Sequence, residues 1–135
     1  MPDVPRADDL VAAARDARTR AYAPYSNFTV GAAVLAGGRI YAGCNVENAS
    51  YGLSICAERV AATTAVAAGE RRLDAVAVVG SATRPTPPCG ACRQFLSEFG
   101  PDMSVIAETP DGDREMWTMS GVLPHAFGPE FLDRP

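Results

Sequence analysis

The sequence contains no lysine and only one histidine, His125. The first absence removes Schiff-base chemistry and the phosphate-binding lysine of a P-loop. The second removes HExxH motifs and any multi-histidine metal site within one chain. No apolar run approaches the roughly 18 residues needed to cross a bilayer. The opening Met1-Pro2-Asp3-Val4-Pro5-Arg6 has neither the apolar core of a signal peptide nor a lipidation motif. A cytoplasmic protein with no membrane partner is therefore expected. Basic character is scarce as well. The twelve basic residues, all arginine, face sixteen acidic ones for a net charge of −4, and only Arg71 and Arg72 are adjacent. A nucleic-acid binder needs a basic stripe to displace condensed counterions, so no nucleic-acid partner is expected.

What is present suits one globular domain spanning residues 1–135, with 47% hydrophobic and 21% charged residues. Asp8 to Arg20 combines Ala and Leu with Asp at its start and Arg towards its end, the charge order that complements a helix dipole. Phe28 to Ala36 and Arg39 to Val46 are β-rich runs joined by Gly37-Gly38, a hairpin signal. Ile55 to Ala68 reads as a helix closed by Gly69. Ala75 to Val79 reads as a buried strand. Ser81 to Pro88 reads as a proline-stiffened loop and Gly90 to Phe99 as a second short helix. Met103 to Glu108 and Arg114 to Thr118 follow as strands hinged at Pro110-Asp111-Gly112-Asp113. Gly121 weighs against a helix over Thr118 to Val122. The order αββαβαββ predicts a layered α/β domain with a mixed sheet.

Four cysteines remain as candidate chemistry: Cys44, Cys56, Cys89 and Cys92. In a reducing compartment such residues are more often metal ligands or catalytic thiols than disulfides. Three of them fall in Cys56-Ala57-Glu58 and Pro88-Cys89-Gly90-Ala91-Cys92, each motif at the expected start of a helix. There the free backbone N–H groups and the dipole favour thiolate, the form that zinc binds. Cys89 and Cys92 share one helical face. Cys56 and Glu58 converge only on a metal lying off the end of their helix, near its first turn. Three thiolates leave zinc one open position, which marks a catalytic rather than a structural site. Water held at that position ionises near neutral pH, and Glu58 is the residue to carry its protons. Cys-x-Glu with Pro-Cys-x-x-Cys, the glutamate not a ligand, is the signature of the zinc deaminases. A redox CxxC pair would leave Cys56 and Glu58 without a role. Cys44 would close the site as a fourth ligand, but it sits in an expected strand without a CxxC partner and is read as a small buried residue.

Further segments extend the pattern: Tyr25-Ser26-Asn27-Phe28-Thr29-Val30-Gly31-Ala32-Ala33, Gly43-Cys44-Asn45-Val46-Glu47-Asn48-Ala49-Ser50-Tyr51-Gly52, Pro88 to Gln94, and Leu123-Pro124-His125-Ala126-Phe127-Gly128-Pro129. Together with Cys56-Ala57-Glu58-Arg59 they resemble the small, homotetrameric cytidine deaminases, in order and over nearly the whole chain. The Asn45-Val46-Glu47-Asn48 segment separates this resemblance from the wider deaminase superfamily. It implies a three-layer α/β/α sandwich around a five-stranded mixed sheet. It also implies hydrolytic deamination of cytidine or 2′-deoxycytidine to uridine or 2′-deoxyuridine and ammonia, the chemistry of pyrimidine salvage.

Carried onto this chain, the resemblance implies one Zn²⁺ per subunit held by Cys56, Cys89 and Cys92, with Glu58 as proton shuttle. It sets Phe28 against the cytosine ring, Asn45 and Glu47 on the ribose hydroxyls, and the Ala57 N–H on the pyrimidine carbonyl. Tyr51, its loop neighbour Ala49, and Phe127 would complete the nucleoside site of an adjacent subunit in a homotetramer with shared active sites. The chemistry agrees. Asn45 and Glu47 are two apart on an expected strand and so face one side. A carboxylate acceptor suits a neutral sugar diol and repels a 5′-phosphate. Arg59 or Arg93 beside the sulfurs would offset the net charge of about −1 that three thiolates leave on Zn²⁺.

Overall fold

The computed structural model describes residues 4 and 6–132. The reading of the opening hexapeptide thus falls largely outside the described residues. Helix α1 (Ala7–Arg18) is followed by strands β1 (Val30–Ala36) and β2 (Arg39–Cys44), helix α2 (Ala57–Ala67) and strand β3 (Ala75–Gly80). Helix α3 (Gly90–Phe99), strands β4 (Ser104–Glu108) and β5 (Arg114–Thr118), and a single turn of helix, α4 (Met119–Val122), complete the main elements. The five strands form one sheet in the order β2-β1-β3-β4-β5. Only β3 and β4 pair in parallel; β1–β2, β1–β3 and β4–β5 are antiparallel. The expected five-stranded mixed sheet is present.

Strands β1 and β3 are apolar at every position, and β4 at its middle three, because both of their faces are covered. On one face Ala33, Leu35, Ala77, Val79 and Ile106 meet Leu10, Val11 and Ala14 of α1. On the other, Ala32, Val34, Val76, Val78 and Val105 meet Ala57, Ala61, Ala62 and Ala65 of α2, with Leu96 of α3 and Met119 of α4. The result is the three-layer α/β/α sandwich. Two glycines set how closely these layers approach. A Cβ on Gly31 would lie 1.9 Å from the Ala14 carbonyl oxygen of α1, and one on Gly43 would lie 2.6 Å from the Ala61 nitrogen of α2. The hairpin signal is real: Gly37 and Gly38 both have positive φ, 58° and 76°, as a two-residue type I′ turn requires. At the opposite edge the buried Glu108 carboxylate pairs with both Arg15 and Arg114, which ties α1 to the β4–β5 hairpin.

Several boundaries differ from the sequence expectations. Helix α1 ends at Arg18 rather than Arg20, and β1 opens at Val30 rather than Phe28, because Asn27 turns the chain with φ 60°. Strand β2 stops at Cys44; beyond it Val46 bridges Tyr22 on one side and Ile55 on the other. Ile55 is therefore extended backbone and not the first residue of α2. The chain after β5 does form a helical turn despite Gly121, because the Thr118 hydroxyl accepts the Gly121 N–H at 3.1 Å and caps it. Cys44 is half-buried, with its sulfur 3.5 Å from the Arg20 carbonyl oxygen, rather than fully enclosed.

Candidate active site

Parallel pairing of β3 with β4 requires a crossover, and α3 provides it. The loop leaving the carboxyl end of β3 at Gly80 runs through Thr86 and Pro87 to Cys89, the residue that caps the N-terminus of α3. Cys56 holds the equivalent place on α2. Both cysteines have extended φ and ψ, so their side chains stand off the helix ends where the first-turn N–H groups lack intrahelical acceptors. Cys92 comes from the first turn of α3 and is buried. The three sulfurs lie within 4.8 Å of one another, with Cys56 Sγ and Cys89 Sγ 3.9 Å apart. A tetrahedral zinc with bonds of about 2.3 Å separates its thiolate ligands by about 3.8 Å, so this set fits the ion. Among the described residues it is the only such cluster.

The electrostatics point the same way. Hydrogen bonding from Cys92, then from Arg59 and Cys89, holds the Cys56 thiol down at about 5. The same contact with Cys56, with burial and the charge of Glu58, pushes the Cys92 thiol up. Crowded thiols cannot all ionise against their mutual repulsion, so the full set of thiolates calls for a cation among them.

Glu58, on the first turn of α2, is only 5% exposed. Burial pushes its carboxyl up to about 7, and a thiolate at Cys56 acts in the same direction. That value suits a group required to take up and release a proton near neutral pH. Beside it opens a cleft of about 200 Å³ lined by Phe28, Val30, Asn45, Cys56, Ala57, Glu58, Val78, Thr86, Pro87 and Cys89. The arrangement is a mostly apolar slot with a sulfur cluster and one buried acid at its floor.

Residues 5–108 match the family described as "Cytidine and deoxycytidylate deaminase zinc-binding region". The chain belongs to the cytidine deaminase family. It is 47% identical over 127 residues to the cytidine deaminase of Sporosarcina psychrophila, covering 93% of each chain. It is 49% identical over 126 residues to that of Halalkalibacterium halodurans, covering 92% of this chain and 96% of the other. The crystal structure of the cytidine deaminase from Burkholderia pseudomallei superposes with a TM-score of 0.86 at 50% identity, over 90% of this chain and 98% of that one. With its cysteine cluster, this chain is a zinc-binding hydrolase of that family.

The cleft gathers Phe28, Asn45, Cys56, Ala57, Glu58 and Cys89 from the sequence-derived set. Glu47 and Tyr51 line a neighbouring hollow of about 280 Å³ together with Tyr25, Ser26 and Ser54. Asn45 and Glu47 lie beyond the end of β2, where backbone hydrogen bonds to Val30 and Tyr22 and the bonds of their own side chains place them. Asn45 accepts the Val30 N–H at 2.9 Å and donates to the Phe28 carbonyl at 2.8 Å. One donor and one acceptor site of its amide remain free for a ligand.

Arg59 and Arg93 differ in kind. Arg59 Nη2 lies 3.8 Å from Cys56 Sγ, and its buried Nε has no partner among the described residues. Arg93 instead donates to the Pro88 and Val122 carbonyls at 2.7 and 2.8 Å, bracing the turn that carries Cys89. Ala49 and Phe127 line neither cleft nor hollow. Ala49 is exposed in its loop, and Phe127 stacks on Phe131, with its carbonyl held by Gln94. The sequence reading missed Val30, Val78, Thr86 and Pro87 as walls of the cleft. Nothing in their residue types marks them: Val30 and Val78 are buried positions of β1 and β3, and Thr86 and Pro87 come from the 81–88 loop that leaves β3.

Proposed function

We propose that the protein hydrolyses the exocyclic amine of cytidine or 2′-deoxycytidine, giving uridine or 2′-deoxyuridine and ammonia. One zinc ion per chain would be held by Cys56, Cys89 and Cys92. The supporting observation is the convergence of three thiols on a buried Glu58 at the floor of a slot faced by Phe28. Zinc bound by these thiolates supplies a water acidified towards neutrality. Glu58 takes a proton from the water and delivers it to N3 of the base as the water oxygen bonds to C4. It then takes the remaining proton from that oxygen and delivers it to the departing amine, which leaves as ammonia. The C4–N bond breaks as the new C4–O bond is kept, so water and substrate account for every atom of the products. Phe28 offers its ring face to the pyrimidine. The N–H of Ala57, at the first position of α2 where helix amides are unpaired, donates to the pyrimidine carbonyl. Asn45 and Glu47 receive the sugar hydroxyls. Arg59 balances the charge at the sulfurs, and Arg93 holds the Cys89 turn in place.

An ultraviolet assay of purified protein with cytidine, run beside a zinc measurement, tests this reading. Conversion to uridine with about one zinc per chain supports it. Absence of turnover in zinc-loaded protein overturns it. No helix among the described residues is long and apolar enough to cross a membrane. The free cysteines and the acidic composition fit a cytoplasmic enzyme that acts on free nucleosides rather than on nucleic acid.

The same reading includes a homotetramer in which Tyr51, Ala49 and Phe127 close a neighbour's site, each chain acting as one domain over residues 1–135. In the single chain Tyr51 is 76% exposed and Phe127 58%, and Leu53, Phe131 and Leu132 are similarly open. So much exposed apolar surface on a small chain is expected at an interface. Enclosing the cleft would also strengthen every charge interaction at its floor. Light scattering should report about four times the 14.1 kDa chain. Dilution to monomers should abolish activity. A fully active monomer would show that Tyr51 and Phe127 serve only their own chain.

A further inference from the structure

The segment that carries Phe28 is held at the Phe28 carbonyl by Asn45 and at the Phe28 N–H by the hydroxyl of Ser26. Ser26 Oγ accepts the Phe28 N–H at 3.0 Å and donates its proton to Glu47 Oε2. The other oxygen of Glu47, Oε1, accepts the backbone N–H groups of Tyr25 and Ser26 at 2.9 and 3.2 Å. Between Ser26 and Phe28, Asn27 adopts φ 60°, which turns the chain so that the Phe28 N–H comes back to the Ser26 hydroxyl. An ionised carboxylate offers about four acceptor sites, and three are occupied here. The remaining one lies on the oxygen that Ser26 orients, at the hollow lined by Tyr25, Ser26, Glu47, Tyr51 and Ser54.

We infer that Ser26 is a positioning residue for sugar recognition, acting through Glu47: its hydroxyl turns the last free acceptor of that carboxylate towards a ribose hydroxyl. The inference rests on the reading of Glu47 as the acceptor of a sugar hydroxyl. Ser26 makes no contact with the reacting atoms in this role. Without its hydroxyl, Glu47 keeps two backbone donors on one oxygen, but Oε2 is free to rotate away or to bind water. The hydrogen bond at stake is charge-assisted, the stronger class. The consequence belongs to binding of the sugar and not to chemistry at the base, because Glu58 and the sulfur cluster are untouched. A purely structural role, exerted through the Phe28 amide, would weaken binding of every cytosine nucleoside alike.

The test is steady-state kinetics of zinc-loaded Ser26→Ala, Ser26→Thr and Glu47→Gln with two substrates, cytidine and 2′,3′-dideoxycytidine. The second keeps the base but lacks the hydroxyls that Glu47 would accept. For Ser26→Ala, KM for cytidine should rise about tenfold, the effect of one hydrogen bond to a charged group, with kcat within about threefold. KM for dideoxycytidine should stay unchanged. Ser26→Thr, which keeps a hydroxyl, should restore most of the affinity for cytidine. Equal losses on both substrates, or a threonine variant as impaired as alanine, would overturn the inference. If Ser26→Ala does not fold, Ser26→Cys, similar in size with a weak donor, carries the same comparison. Glu47→Gln separates the two claims. If it discriminates between the substrates while Ser26→Ala does not, the inference fails and the sugar role of Glu47 stands. If Glu47→Gln treats both substrates alike, the sugar role falls and the inference with it.

Discussion

Replacing Glu58 with glutamine should leave the fold and the bound zinc intact while lowering turnover by about 10²- to 10⁴-fold, the usual span for loss of a positioned general acid–base. The amide matches the carboxyl in size, so packing around a residue only 5% exposed changes little. What it loses is the capacity to accept a proton and give it back. Burial pushes the Glu58 carboxyl up to about 7. A carboxyl raised in this way is a stronger base than an exposed glutamate, which favours taking a proton from water and lets the same group return it near neutral pH. Glutamine cannot titrate at all. The loss should appear in kcat, with KM for cytidine little changed, because Phe28, Asn45 and the Ala57 amide still receive the nucleoside. Stoichiometric zinc measured in the same preparation separates lost proton transfer from a lost metal. Near-native turnover by Glu58→Gln would falsify the proposed mechanism.

Cys89→Ala and Cys92→Ala should each abolish stoichiometric zinc binding and with it all activity that depends on the ion. Removing either leaves two thiolates, one of which is Cys56, and a pair of thiolates with water makes a weak site. The two variants differ in an informative way. Cys92 is fully buried in the first turn of α3, so its truncation also removes packing, whereas Cys89 is exposed and its truncation costs little beyond the ligand. Metal binding energy is partly folding energy. The Cys89→Ala protein should therefore melt below the zinc-loaded parent and match it once both are treated with a chelator. Cys92→Ala should remain the less stable of the two even in chelator. Cys44→Ser is the control and should retain zinc. Retention of zinc at one per chain in Cys89→Ala would refute the ligand assignment, and metal loss in Cys44→Ser would revive a closed four-sulfur site.

Much of this architecture was legible along the chain. The glycine pair of the β1–β2 turn, the Gly69 stop after α2, the apolar run of β3 and the helix starting at Gly90 all came from local signals, since each depends on neighbours a few residues away. The cysteine motifs were equally plain, because their spacing relative to a helix start is itself a local property. The boundaries misread were those settled by distant partners. Ile55 looks helical by composition, yet its backbone bonds to Val46 and so postpones α2 to Ala57. Phe28 looks like the start of a strand, yet the bend at Asn27 and the hold of Asn45 keep it out of the sheet, where its ring borders the cleft.

The sequence by itself determined the chemistry: three thiols and one carboxyl at two helix starts, in a chain with no lysine and one histidine to offer an alternative. It also determined the layered α/β class, because the alternation of strand and helix patterns is written in residue periodicity. Only the tertiary structure decided that Cys56 comes within 3.9 Å of Cys89 across 33 positions, and that Glu58 is buried deeply enough for its carboxyl to be pushed to about 7. Only the tertiary structure, too, set Ser26 on Glu47 across 21 positions and sent Arg93 to carbonyl oxygens rather than to sulfur. The reason is physical. Periodicity and capping act over one or two turns of chain. Desolvation and hydrogen bonding between separate elements depend on where the sheet brings those elements together, and no local pattern carries that distance.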